Sequence, residues 1–115
     1  MNKPTRFYSN RQEKAVAVSV NGKKVSNSGA TAFNKGDVLT DLFLLECKTC
    51  VKEQKSFSIK KEWLIKNKEE SFAMRKDYSA LVFDFGDGGE RYYVIDERLF
   101  NILQRLLKEE NYDER

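Results

Sequence analysis

The run from residue 42 to 50 constrains the fold more than any other segment. Phe43, Leu44 and Leu45 follow one another with no polar alternation and lead straight into Glu46-Cys47-Lys48-Thr49. A strand apolar on both faces belongs at the centre of a covered sheet. Charges are costly there unless they are paired or metal-bound. Successive side chains of a pleated strand alternate faces, so Glu46 and Lys48 emerge on one side, roughly 7 Å apart. The plainer alternative is a solvent-facing ion pair worth about 0 to 1 kcal/mol, but the unbroken apolar approach argues for a covered site. Gly36-Asp37-Val38 precedes this run by fewer than ten residues. Asp37 beside Glu46 would offer two oxygen ligands to a hard divalent cation, with the Lys48 ammonium next to them.

With 115 residues and one proline, the chain is expected to form a single domain, residues 1–115, whose core needs no disulfide. No apolar stretch approaches the roughly 20 residues of a membrane span. The opening Met1-Asn2-Lys3-Pro4 leads into no signal-type apolar core, so a cytoplasmic location is expected. Histidine is absent. That removes Ser/His/Asp and Cys/His triads and the usual zinc chemistry, and leaves catalysis to carboxylates, lysine or an activated water. The net charge of +3 is unevenly spread. Residues 1–36 hold seven Lys/Arg against Glu13 alone, and residues 51–68 hold six Lys against two Glu. Basic segments flanking a carboxylate pocket suit a polyanion, although lysines also simply keep small domains soluble.

Ser9-Asn10-Arg11-Gln12 reads as a capping box opening a helix over 11–20, which carries Glu13. The alternation of Val16, Val18 and Val20 also suits a strand, and Asn21-Gly22 suits either a helix stop or a hairpin turn. A short strand is expected at 23–25, then a small-residue polar loop at 26–31, against which a phosphate can lie. Strands at 37–39 and 42–50 would join through Thr40-Asp41, the second of them central. A helix over 59–75 with an apolar side marked by Trp63, Leu64, Phe72, Ala73 and Met74 follows a short strand at 56–58. Strands at 80–85 and 92–95 flank the turn Gly86-Asp87-Gly88-Gly89. Asp96 would cap a last helix whose Leu99, Ile102, Leu103, Leu106 and Leu107 mark one buried stripe.

Lys52, Lys55, Ser56, Ser58, Lys60 and Lys61 follow the central strand, and a helix opening near Lys60 would turn its positive end toward an anion. A solvated helix start is the alternative. No base-reading signature is evident, so any preference should be for DNA shape or branching. Cys47-Lys48-Thr49-Cys50 is formally a Cys-x-x-Cys, but thiols three apart on a strand point to opposite faces, and zinc would lack two ligands. Two reduced, structural cysteines are expected. Phe57, Trp63, Phe72, Tyr92 and Tyr93 are read as core, unless Tyr92 or Tyr93 proves exposed and able to stack on bases.

Taken in order, a helix with Glu13, the Ser28-Gly29-Ala30 loop, Gly36-Asp37-Val38 and Leu45-Glu46-Cys47-Lys48-Thr49 resemble the PD-(D/E)XK nuclease superfamily. Within it the likeness is to archaeal Holliday-junction resolvases and their bacteriophage-encoded relatives, over about residues 9–95. The resemblance implies an α/β restriction-endonuclease-like fold, with a mixed central sheet flanked by helices. It also implies a magnesium- or manganese-dependent endodeoxyribonuclease acting on branched DNA. Asp37 and Glu46 would be metal ligands, Cys47 would contribute its carbonyl, Glu13 would complete the metal site, and Lys48 would sit beside the attacking water. Nucleic acid would be held by Lys23, Lys24, Asn27, Ser28, Lys35, Lys52, Lys55, Ser56, Lys60 and Lys61. Paired symmetric cuts imply a homodimer, formed through the C-terminal leucine stripe or a sheet edge. A phage-encoded chain would work in the host cytoplasm. Gly36 stands where the motif has proline, and the spacing from Asp37 to Glu46 is short, which leaves Asp41 as a competing ligand or a turn residue. The alternative function is a non-catalytic DNA-binding accessory protein of replication or recombination.

Overall fold

The structure, a computed structural model, describes residues 5–25, 37–86 and 88–113. Its elements run α1 (Thr5–Val20), β1 (Lys23–Lys24), β2 (Asp37–Leu39), β3 (Phe43–Lys48), α2 (Lys61–Ala73), β4 (Tyr78–Phe83), β5 (Tyr92–Val94) and α3 (Glu97–Asp113). The five strands form one mixed sheet in the order β1-β2-β3-β4-β5. All pairs are antiparallel except β3 with β4, which the α2 crossover makes parallel. The chain is thus mixed α/β, with helices flanking a five-stranded sheet whose middle strand is β3, the strand read as central.

Alternation along the strands divides the sheet into two unlike faces. Val38, Leu45, Ala80 and Val82 point to one side, where Val16 of α1 completes an apolar core with Ala17, Val20, Phe43, Cys47 and Ile95 packed around it. Val16, Val38 and Val82 are fully buried, each worth about 1.5 to 3 kcal/mol of transfer free energy. Asp37, Leu44, Glu46 and Lys48 point to the other side, under α2. The face that α2 turns inward is polar: its buried residues are Asn67, Glu70 and Ser71, while Phe72 is 85% exposed and Ile65 49%. This reverses the expectation of an apolar α2 face that included Phe72. Ser71 Oγ hydrogen-bonds the Tyr78 carbonyl at 3.0 Å and the Lys76 carbonyl at 3.2 Å, tying the helix end to β4.

Several boundaries differ from the sequence expectations. Helix α1 begins at Thr5, so Ser9 lies inside it and opens nothing. Gln12 does not reach back as a cap; its Nε2 donates to the Lys48 carbonyl at 2.7 Å and to Asp84 Oδ2 at 3.2 Å. Residues 56–58 form no strand, and β4 starts at Tyr78 rather than at Ala80. Asp96 does cap α3, accepting the Leu99 N–H at 2.9 Å. The α3 stripe is not buried along its length. Leu99 is 4% exposed, whereas Leu103, Leu106 and Leu107 are 40%, 54% and 59% exposed, because the helix runs off the body after its first turns. Among the described residues, no helix is long and apolar enough to cross a membrane.

Candidate metal centre

Strands β2 and β3 are joined by a tight hairpin through Asp41-Leu42. The Thr40 N–H donates to the Phe43 carbonyl at 3.0 Å, and Thr40 Oγ1 accepts from the N–H groups of Leu42 at 3.3 Å and Phe43 at 2.9 Å. This turn sets the register Leu39↔Leu44, Val38↔Leu45, Asp37↔Glu46. The Asp37 carbonyl accepts from the Val25 N–H, at 2.9 Å, on the β1 side. Since a strand residue directs its N–H and C=O to the same edge, Asp37 and Glu46 form a non-hydrogen-bonded pair, the kind whose side chains stand closest. The same alternation turns the Cys47 carbonyl toward the β2 side, beyond Asp37. Asp41 is exposed in the turn, so its turn role is the one observed.

Helix α2 supplies a third carboxylate. Asp37, Glu46 and Glu70 each place an oxygen within 4.8 Å of the other two, and all three residues are buried, at 0%, 3% and 8% exposure. Neither oxygen of Asp37 has a hydrogen-bond partner, nor does either oxygen of Glu70 or Oε2 of Glu46. The compensation consists of long ion pairs: Lys48 Nζ to Glu46 Oε2 at 3.4 Å, and Lys66 Nζ to Glu70 Oε1 at 3.9 Å. Burial pushes the Asp37 carboxyl up to about 7, helped by the charges of Glu46 and Glu70 and opposed by Lys48. Burial likewise raises Glu70, with Glu46 adding to the shift. Ionised, the three carboxylates and Lys48 sum to −2, which one divalent cation would neutralise. Hard carboxylate oxygens in this number suit magnesium or manganese.

Lys48 is held from two sides, by Glu46 and by the Trp63 ring, whose centroid lies 4.4 Å from Nζ. Trp63 in turn contacts Phe57, which stacks on Phe83 with centroids 4.6 Å apart, and Tyr92 extends the aromatic group at 5.6 Å from Phe83. Tyr92 and Tyr93 are 42% and 41% exposed, so neither is core.

Glu13 is not one of the three clustered carboxylates. It lies on the α1 side of the sheet, buried, with Oε1 3.8 Å from Lys24 Nζ. Its pKa is raised by burial, against the pull of Lys24. Glu70, which the sequence reading passed over, takes the third place. The signal was present: with Trp63 turned inward, Asn67, Glu70 and Ser71 at offsets of four, seven and eight must share its face. The Cys47 thiol faces α1 and is pushed up to about 12, chiefly by burial, which makes it inert as a nucleophile at neutral pH. Cys47 and Cys50 are both free.

Of the residues read as contacting nucleic acid, Lys23, Lys24, Lys52, Lys55, Ser56, Lys60 and Lys61 are exposed, and Lys24 is engaged with Glu13. Asn27, Ser28 and Lys35 lie outside the described residues. Lys60 is the extended N-cap residue of α2, which has no side-chain cap, and its Nζ sits 5.6 Å from the Trp63 ring centre. In comparisons with known proteins, no family model, no curated protein and no solved structure matches the chain.

Proposed function

We propose that the chain is a divalent-metal-dependent endodeoxyribonuclease with a restriction-endonuclease-like fold, acting on branched DNA in the manner of a Holliday-junction resolvase. The observation that carries this reading is the pairing of Asp37 directly opposite Glu46, with Glu70 closing the group from α2 and Lys48 beside it. Five buried carboxylate oxygens without hydrogen-bond partners are a poor resting state for a protein interior and a good one for a cation site. Asp37, Glu46 and Glu70 would hold magnesium or manganese, with the Cys47 carbonyl at the rim. The cation would lower the pKa of a water and offset the charge that grows on the phosphoryl oxygens. Lys48, held by Glu46 and the Trp63 ring, would offer its ammonium to the attacking water or the scissile phosphate. No histidine is needed. The exposed lysines at the start of α2 and after β3 meet flanking phosphates. A homodimer would supply the second cut, with the uncovered α3 leucines as one surface for it.

The test is cleavage of labelled four-way junction and matched linear duplex by wild type and Glu46→Gln, with magnesium or manganese against EDTA. Paired metal-dependent cuts confined to the junction and absent from the variant support a resolvase. Cutting of both substrates points to a broader nuclease. Junction binding without cutting under either metal replaces the proposal with the accessory-protein reading, in which Glu46 and Lys48 are only an ion pair.

A further inference from the structure

Two lysines reach the carboxylate cluster, and they are held differently. Lys48 has two partners, Glu46 Oε2 at 3.4 Å and the Trp63 ring at 4.4 Å. Lys66 has one among the described residues: its Nζ lies 3.9 Å from Glu70 Oε1, and its side chain is 54% exposed. A Lys–Glu pair four residues apart is ordinary on a solvated helix face, but here the acid is not solvated. Glu70 is buried, and neither of its oxygens has a hydrogen-bond partner. Burial raises its pKa, Glu46 adds to the rise, and Lys66, ahead of Lys48, opposes it. Helix α2 packs over β3 and β4. Its edge carrying Lys66 and Glu70, one turn apart, is the edge that reaches toward β2, since Glu70 stands with Asp37 and Glu46. Ionised, the three carboxylates carry −3 and the two lysines +2, which leaves −1. A divalent cation turns this to +1, the charge that one phosphodiester cancels.

We propose that Lys66 is a phosphate contact released by the metal: it pairs with Glu70 when no cation is bound, and turns to the phosphodiester of the strand at the site when Glu70 ligates the cation. This rests on the nuclease reading for the identity of the strand and of the cation. An ammonium 3.9 Å from a carboxylate that has taken up a dication faces a like charge and loses its partner. Its four-carbon stem and three rotatable donors let it follow a phosphate oxygen, whereas Lys48 is kept in place by the Trp63 ring. Metal loading and strand binding are thereby coupled, and by linkage the bound strand tightens the metal by the same factor. The exposed lysines elsewhere attract a strand whether or not metal is present; Lys66 does so only once the site is loaded.

The experiment is a double-mutant cycle read by fluorescence anisotropy of labelled four-way junction and linear duplex in EDTA, with wild type, Lys66→Gln, Glu70→Gln and the double variant, and Lys108→Gln on α3 as a matched loss of charge. In EDTA, Lys66→Gln should cost no more DNA affinity than Lys108→Gln while Glu70 is intact. In the Glu70→Gln protein, where Lys66 has lost its partner, the same change should cost about fivefold or more and make the salt slope shallower by about one. Simple summation of charges makes the cycle additive, so the coupling itself is the signature. Calcium, a hard cation for oxygen ligands, should bring out the same cost of Lys66→Gln with Glu70 intact, and Lys66→Arg should retain the contact. An equal cost of Lys66→Gln in both backgrounds, or a wild type that binds neither DNA, overturns the proposal. The same proteins are assayed for cleavage in magnesium. Coupling without cleavage would leave the Lys66 exchange standing and remove the nuclease reading; cleavage with an additive cycle would do the reverse.

Discussion

Asp37→Asn should stabilise the metal-free protein at neutral pH while removing its response to metal. Asp37 is fully buried, its two oxygens lack hydrogen-bond partners, and its carboxyl is pushed from 3.8 to about 7 by burial and by Glu46 and Glu70. Below about pH 4 the group is protonated in both folded and unfolded chains and has no effect. Between about pH 4 and 7 the unfolded chain gives up the proton and the folded one keeps it, so stability falls as pH rises, and above 7 the loss is complete. The full displacement corresponds to about 4 kcal/mol; relaxation and water entry reduce this, and about 1 to 3 kcal/mol is expected. Asparagine carries no charge and can donate to Glu46, so the variant lacks this fall. For a chain of this length, about 4 °C in Tm accompanies each kcal/mol. Urea and thermal unfolding in EDTA at pH 5 and pH 8 should show the variant higher at pH 8 by about 4 to 12 °C and the gap at pH 5 reduced to roughly a third of that. Magnesium at a hundredfold excess over Kd should raise the wild type by about 2.7 kcal/mol and leave the variant unmoved. A variant less stable at pH 8, or a gap between the two proteins that is the same at both pH values, refutes the reasoning.

Glu70→Gln should weaken metal-induced stabilisation by about tenfold or more in Kd, measured by thermal shift across a manganese titration, whereas Glu13→Gln should shift it less because Glu13 stands outside the clustered group. Trp63→Leu should lower the cleavage rate with little change in metal affinity, since the ring holds Lys48 rather than supplying a ligand; single-turnover rates alongside manganese binding separate the two. Gly86→Ala should destabilise by about 2 kcal/mol or more in a denaturant melt, because φ is +94 and a Cβ would run into the Lys52 carbonyl. Replacing Leu103 and Leu107 together by Asp should leave the monomer's unfolding free energy nearly unchanged, as both are exposed, and should abolish any dimer seen by sedimentation.

Local rules sufficed for much of the candidate site. The two-residue period of a strand is a property of the backbone, so Glu46 and Lys48 on one face, and Cys47 on the other, followed from spacing alone. The turn chemistry of Thr40-Asp41 and the capping by Asp96 are equally local, and both are observed. So is the burial of a strand apolar on both faces, since no solvated position suits it. What stayed out of reach depends on which surfaces meet. Gln12 looked like a cap because Ser9 stands three residues before it, yet α1 extends past Ser9, and the amide is drawn 36 residues along the chain to Lys48. Phe72 and the α3 leucines obey helical periodicity, but periodicity names a stripe and not its partner; packing left Phe72 in solvent and covered α3 only near Leu99. Glu70 became a third carboxylate because the α2 crossover laid a polar face over β3. Sequence alone determined the pairing of acid and lysine on the central strand, since backbone geometry imposes it at short range; the third carboxylate was decided by tertiary structure, where helix placement and strand order bring distant residues together.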